Sequence, residues 1–522
     1  MIEVSEAWKE AHKKPLLPEA FVKISLRVGD DDVPEDVTVT ADNEGEMKPH
    51  SYRNALFDDD EAGLKFATLE HNLWALDGSF NIPSKETYGT VVTNSREYGY
   101  VSADDSQCVV TLDFSKERTT EIMGFTIQWG HSVGEYPTRF KIDVKWGEVT
   151  VDSITITDNA SEVSIVDLPV SNYDNVVITI YDWNLPDHRR RIDSVYFGHS
   201  LTFDKNDILS YSHESHGCVN SGELSGKTIS FSLDNTDSRW NPHNPKGLGR
   251  FLSEQQKVEV KYGLNVYGAV EWITVGTFYL VEWKTSPNSL SADFVAKDVL
   301  NFLMNIPFTF NGAQGQDTFV SRVKTLAGEL GEYIRYSGGA YYEEGIPMLT
   351  SLDKEYNLAE IIQMCANADG CVIYQLKEGV DITPLNTSLS DYVITSDLSY
   401  SHPEIELTKP LKAVSIKLGE DESYVLDVDR VGEIQSVENP LILTSGVADI
   451  VANWIMWNLR PRTIVSGDFR GDPRLEVFDI VTVESKFGTL TPVVITDLKY
   501  SYSGSFRTTY TGRIVDLEEY QW

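Results

Sequence analysis

Apolar and polar residues alternate with a period of two along most of this chain. The clearest early run is Phe21-Val-Lys-Ile-Ser-Leu-Arg-Val28, which follows a short charged segment of helical spacing at 5–13 and the breakers Pro15 and Pro18. A period of two sends successive side chains to opposite faces, so the run predicts a strand and the start of a β domain. Between residues 69 and 198 the same alternation recurs in short pieces at 108–114, 123–129, 139–146, 153–157, 163–166, 176–181 and 192–197. Each is broken by Gly, Pro, Asn or Asp. Regular turn spacing of this kind predicts an all-β sandwich. Strand text resumes at 228–233, 257–262, 272–283 and 291–297, now with bulky aromatic residues at alternating positions.

Beyond residues 5–13, helical spacing is confined to 317–330, 357–368 and 445–459. In the second of these, Asn357 is placed to cap the helix and Asp369-Gly370 to end it, and Cys371-Val-Ile-Tyr-Gln-Leu376 then reads as a strand on which the helix packs. The chain is therefore expected to be mostly β, of the α+β class.

Its 522 residues exceed one hydrophobic core, and roughly 100–200 residues per domain implies three or four domains. Hydrophobic residues make up 41%, enough to fold without staples. With 80 Asp and Glu against 44 Lys and Arg, the net charge of -36 opposes binding to nucleic acid or anionic lipid. The same acidity would suit the wall of a channel through which DNA passes without sticking. Residues 1–14 lack an apolar signal core, and no uncharged apolar run approaches the roughly 18 residues of a membrane span, so synthesis in a cytoplasm without a signal peptide is expected. Cys108, Cys218, Cys365 and Cys371 lack metal-binding spacing and read as free thiols.

Gly130-His131-Ser132-Val133-Gly134 has the spacing of a nucleophile elbow, but that motif must feed a helix, and 135–146 reads as another strand after Pro137. A turn is the simpler reading. Arg470-Gly471-Asp472 is an adhesion tripeptide that turn chemistry also explains, standing before Pro473. The acidic stretches Asp30-Asp31-Asp32 and Asp58-Asp59-Asp60 read as solvated loops, and His213 and His216 fall in turn-rich text. A glycosidase would need a positioned pair of carboxylates, which 80 acidic residues do not single out. No catalytic residue is nominated.

Leu76-Asp77-Gly78-Ser79, Gly99-Tyr100-Val101-Ser102, the run Gly124 to Trp129, Tyr136-Pro137, and Arg191-Ile192 leading to Phe197-Gly198 resemble, in order and spacing, discoidin (coagulation-factor type C) modules. That resemblance implies a jelly-roll sandwich whose loops bind sugars. It sets Trp74, Tyr98, Tyr100, Trp183, His188, Arg189 and Arg190 near the ligand end, aromatic faces suiting a sugar ring and an arginine fork an acidic glycan. The alternative is that Trp74 and Trp183 are core residues and the arginines solvated. Asp77 falls where members of that family hold calcium, with Asp193 the carboxylate near the module's end; no other cofactor is implied.

Outside this insertion, Ile229-Ser-Phe-Ser-Leu-Asp-Asn235, Arg239-Trp240-Asn241-Pro242, Val258 to Tyr262, Gly276 to Leu280 and the segment order of 413–522 resemble tail-hub proteins of phages of Gram-positive bacteria. The implied architecture is a first hub barrel from 1–66 and 199–300, an inserted sandwich at 67–198, a small α/β domain at 301–412 and a second barrel at 413–522. The implied role is a non-enzymatic baseplate hub in a virion tail. It would form a homotrimeric ring between the tail-tube or distal tail protein and a tip or spike protein, and the insertion would touch host cell-surface glycan. A free carbohydrate-binding adhesin and a tail-associated cell-wall hydrolase are the alternatives.

Overall fold

A computed structural model describes residues 1–14, 19–30, 37–41, 48–49, 100–101, 108–130, 134–245, 247–285, 290–308, 319–329, 334–337, 355–376, 379–418 and 422–516. The chain divides into two compact units, crossing between them more than once. One holds Met1–Ser25, Thr202–Trp240 and Ser253–Trp522, and the other Leu26–Leu201 and Asn241–Leu252.

A 13-stranded sheet dominates. Its path runs Gly198–Phe203, Ala20–Gly29, Lys257–Val266, Ala269–Thr285, Ser291–Lys297, Gly226–Asp234, Ile208–His216, Leu490–Tyr502, Phe506–Ile514, Thr463–Phe469 and Glu404–Leu407. Ile480–Glu484 branches off Leu490–Tyr502 and carries Leu389–Ile394 in parallel beyond it. The two hub barrels expected from the sequence do not form, because among the described residues no sheet closes on itself. Ile208–His216 is the strand that decides this. It pairs antiparallel with Gly226–Asp234 along one edge and with Leu490–Tyr502 along the other, so strands expected in separate barrels run on as one open sheet. Alternation along a strand is identical in a barrel and in an open sheet; closure depends on which strands pair at the two ends.

His213 and His216 belong to this central strand and not to a turn. Among the described residues the α-helices lie at Glu6–His12, Val299–Leu303, Phe319–Glu329, Leu358–Ala368 and Ser445–Leu459. At the start of Leu358–Ala368, Asn357 Oδ1 accepts from Glu360 N–H (2.9 Å) and the Glu360 carboxylate accepts from Asn357 N–H (2.9 Å), satisfying two helix-end donors reciprocally. Ser445–Leu459 packs on the sheet formed by Ser423–Asp427, Leu411–Lys417 and Glu433–Glu438. Side-chain amides stitch these helices to residues 219–221: Asn367 donates to Asn220 O (2.9 Å), Gln363 to Ser221 O (3.0 Å) and Asn458 to Val219 O (3.1 Å).

In the second unit, a five-stranded sheet is ordered Val37–Ala41, Cys108–Arg118, Tyr173–Trp183, Pro137–Trp146 and Val149–Ile156. A three-stranded sheet is ordered Ser194–Tyr196, Ile122–Gln128 and Val163–Val170. Alternate residues of both, among them Leu112, Phe125, Ile127, Phe140, Ile142, Val166, Ile178 and Val195, fill one apolar core. Gly124 sits at an irregularity in this pairing with φ +150°, and a Cβ there would meet Val166 O at 1.9 Å, so only glycine fits. Asp30, expected in a solvated loop, is buried and pairs with Arg118, whose Nε donates to it at 3.1 Å; its N–H donates to Phe197 O (2.8 Å). Cys108, Cys365 and Cys371 are buried and Cys218 is partly exposed.

Candidate functional site

The strand Tyr173–Trp183 ends at a loop, 184–190, that leads into Arg191–Ile192. Glu135 organises that loop. Its side chain is fully buried, and both oxygens are occupied. Trp183 Nε1–H donates to Oε2 (2.8 Å), His188 Nδ1 lies 2.8 Å from Oε1, and Arg191 Nη1 stands 3.5 Å from Oε2. Burying a carboxylate is tolerable only where charge and donors compensate it, and here a guanidinium, an indole and an imidazole do so. Around this anchor Asn184 N–H donates to Tyr136 O (3.0 Å), Tyr136 N–H returns a bond to Asn184 Oδ1 (3.2 Å), Arg190 Nη2 donates to Tyr181 O (3.2 Å) and Arg191 Nη1 to Arg189 O (3.0 Å).

Of the residues the sequence nominated, Trp183 and His188 thus meet on one carboxylate. Trp183 is half-buried, His188 and Arg190 are buried, and Arg189 is exposed. Tyr100 lies on the strand Tyr100–Val101, paired antiparallel with Arg191–Ile192, which brings its backbone beside the loop's end; its side chain lies outside the described residues. Trp74, Tyr98 and Asp77 also lie outside them. Among the described residues no group of three or more His, Cys, Asp or Glu side chains is arranged to hold a metal. The residue that sequence reasoning missed is Glu135. The one signal for it was a lone acid between Gly134 and Tyr136-Pro137, at the edge of the elbow motif. Of that motif, residues 131–133 lie outside the described residues, and the chain continues from it into the strand Pro137–Trp146 where an elbow needs a helix.

In the first unit, Asp472 of the adhesion tripeptide is fully buried. It accepts from Arg474 Nε (3.0 Å), Nη2 (2.5 Å) and N–H (3.1 Å), with His12 Nδ1 at 3.7 Å. Burial pushes its carboxyl up, but the His12 ring and the Arg474 guanidinium outweigh that and hold it below the usual range. His12 Nε2–H donates to Gly471 O (2.8 Å), and Arg470 Nη2 to Lys14 O (2.9 Å). The tripeptide is spent inside the fold and offers no carboxylate to a receptor.

His213 lies in a buried polar chain. Its Nδ1 is 2.9 Å from Tyr262 Oη, which is 2.8 Å from Tyr211 Oη, and its Nε2 is 3.0 Å from Ser215 Oγ; the ring stacks on Tyr500. Burial, aided by Lys227, pushes the imidazole down to about 3. It is neutral in the fold but takes up a proton in the unfolded chain below its ordinary 6.5. Its contribution is therefore complete above pH 6.5 and is lost as pH falls from there toward 3, by about 1.4 kcal/mol per pH unit. Denaturant unfolding between pH 7 and 4.5 is expected to show this loss, and His213→Phe to flatten it at some cost in stability at pH 7. An unchanged slope in the variant would assign the acid sensitivity elsewhere.

No protein-family model and no curated protein matches the sequence. Among solved structures, the chain is similar to a 43 kDa prophage tail protein from Shewanella oneidensis (12% identity over 62% of this chain and 96% of that one, TM-score 0.44). It is also similar to a tail protein from Neisseria meningitidis (12% identity, 60% and 94%, TM-score 0.44) and to a prophage tail protein from Listeria monocytogenes (12% identity, 61% and 91%, TM-score 0.40).

Proposed function

We propose that this chain is a structural hub subunit of the tail tip of a phage or phage-like particle, assembling with copies of itself, three in the reading the sequence resemblance implies, between tail tube and tip. The segment order of the sequence supports this. The observation that carries it is the way one sheet takes strands from 20–29, 198–297 and 463–514 while most of the chain from Leu26 to Leu201, with Asn241–Leu252, forms a second unit. A sheet interrupted by an insertion is the plan of a scaffold that carries a module. The inserted module, placed at 67–198 by the sequence and joined in the fold by the strand Val37–Ala41, is proposed to bind a host-surface glycan. There Trp183 and Arg189, with Trp74, Tyr98 and Tyr100, would face the ligand, while His188 and Arg190 hold the loop.

Light scattering of the purified protein over a concentration series tests the hub. A trimer, or a monomer that becomes one with concentration, is expected. A mass that stays monomeric throughout would overturn it in favour of the adhesin.

A further inference from the structure

Residues 485–489 join the strands Ile480–Glu484 and Leu490–Tyr502 in a turn fixed by its own hydrogen bonds. Ser485 N–H donates to Thr489 O (2.9 Å), Gly488 N–H donates to Ser485 O (2.9 Å), and the Ser485 hydroxyl accepts from the N–H groups of Phe487 and Thr489 (3.2 Å each). Gly488, at φ +74°, supplies the left-handed step. The turn presents Phe487 with 85% of its surface exposed, more than any other large hydrophobic residue among those described. Leu490 is 57% exposed nearby, and Lys486 Nζ lies 5.3 Å from the Phe487 ring centroid. A single exposed apolar side chain is ordinary. A rigid turn that holds an aromatic residue in water already has its ordering entropy spent, which is what a docking anchor needs.

A complementary surface lies on the same unit. Glu404–Leu407 is an outermost strand of the 13-stranded sheet, paired among the described residues with Thr463–Phe469 alone. All four of its residues are exposed, Ile405 at 60% and Leu407 at 64%, and they alternate with Glu404 and Glu406. Lys486 is the one cationic side chain of the turn, on a chain whose net charge is -36. Charge therefore favours the acidic edge as its partner. It opposes the pairing of two such edges, which would set carboxylates against carboxylates.

We propose that the Phe487 turn of one copy docks on the Ile405 and Leu407 edge of the next, with Lys486 against Glu404 and Glu406. Two different patches meet in such a contact, so it is head-to-tail and repeats from copy to copy, closing into the ring of the hub reading where the rotation per copy is a third of a turn. The proposal rests on the self-assembling hub reading and adds the surfaces through which it occurs.

The test is light scattering of the full chain and of surface variants across one concentration series. Phe487→Ser and Lys486→Glu are each expected to raise the concentration for half-assembly at least about tenfold. Adding Glu404→Lys and Glu406→Lys to Lys486→Glu is expected to recover most of that loss, which a merely structural role for the turn would not produce. If the unaltered chain assembles and the variants assemble equally well, this contact is wrong while the hub reading stands. If the unaltered chain stays monomeric, both fall.

Discussion

Glu135→Ala is expected to destabilise the sandwich by about 3–5 kcal/mol, the scale on which removing one partner of a buried ion pair acts. The loss is large because the carboxylate has three dependants. Arg191 loses a buried counter-charge 3.5 Å away, and the Trp183 indole N–H and the His188 ring lose the carboxylate that accepts from them. The damage should be local, since the same carboxylate holds the end of Tyr173–Trp183 against the start of Arg191–Ile192. Hydrogen exchange should accelerate first in 181–192. Combining Glu135→Leu with Arg191→Met should cost less than Glu135→Ala alone, because it removes both charges together. A Glu135→Ala protein within about 0.5 kcal/mol of the parent would show that the carboxylate is incidental.

Asp472→Ala is expected to cost a similar 3–5 kcal/mol, in the other unit. Its carboxylate is fully buried and receives three bonds from the Arg474 guanidinium, which also lies 5.6 Å from the Tyr392 ring. His12 loses the carboxylate beside its ring as well, so the helix Glu6–His12 should loosen with the change. The fold holds this carboxyl below its ordinary value, so its contribution is present above about pH 4 and is lost only as pH falls through the lower folded value. That limb lies below most of the His213 limb, which begins at 6.5, and the two are separable in one pH series. Exchange rates in 6–12 that match those of the parent would contradict the assignment.

The elements of the protein were more legible than their partners. Strands with an apolar inner face, such as Cys108–Arg118 and Lys257–Val266, announce themselves by alternation, and Asn357 and Gly370 bracket a helix by local chemistry. Ile208–His216 was misread because its buried face includes Tyr211, His213 and Ser215, polar side chains satisfied within a buried chain through Tyr262, which erases the alternation. The open sheet was illegible for a related reason, since nothing local to Leu490–Tyr502 says that its neighbour is residue 211 and not a strand that would close a barrel. At the candidate site, the discoidin resemblance grouped Trp183 with His188. The carboxylate that joins them lies 48 and 53 residues away, where no periodicity points.

The join between Ile208–His216 and Leu490–Tyr502 also sets a schedule for synthesis. His216 and Asp497, which meet across it, are 281 residues apart, so at roughly 5–20 residues per second the earlier strand waits on the order of a quarter of a minute to a minute for its neighbour to leave the ribosome. Until then one edge of that strand stands open, beside a sandwich whose own strands were completed long before. A ribosome that stalls before residue 490 would therefore release a chain with a finished module and an unfinished scaffold, the form most prone to aggregate and the one a chaperone would have to shield.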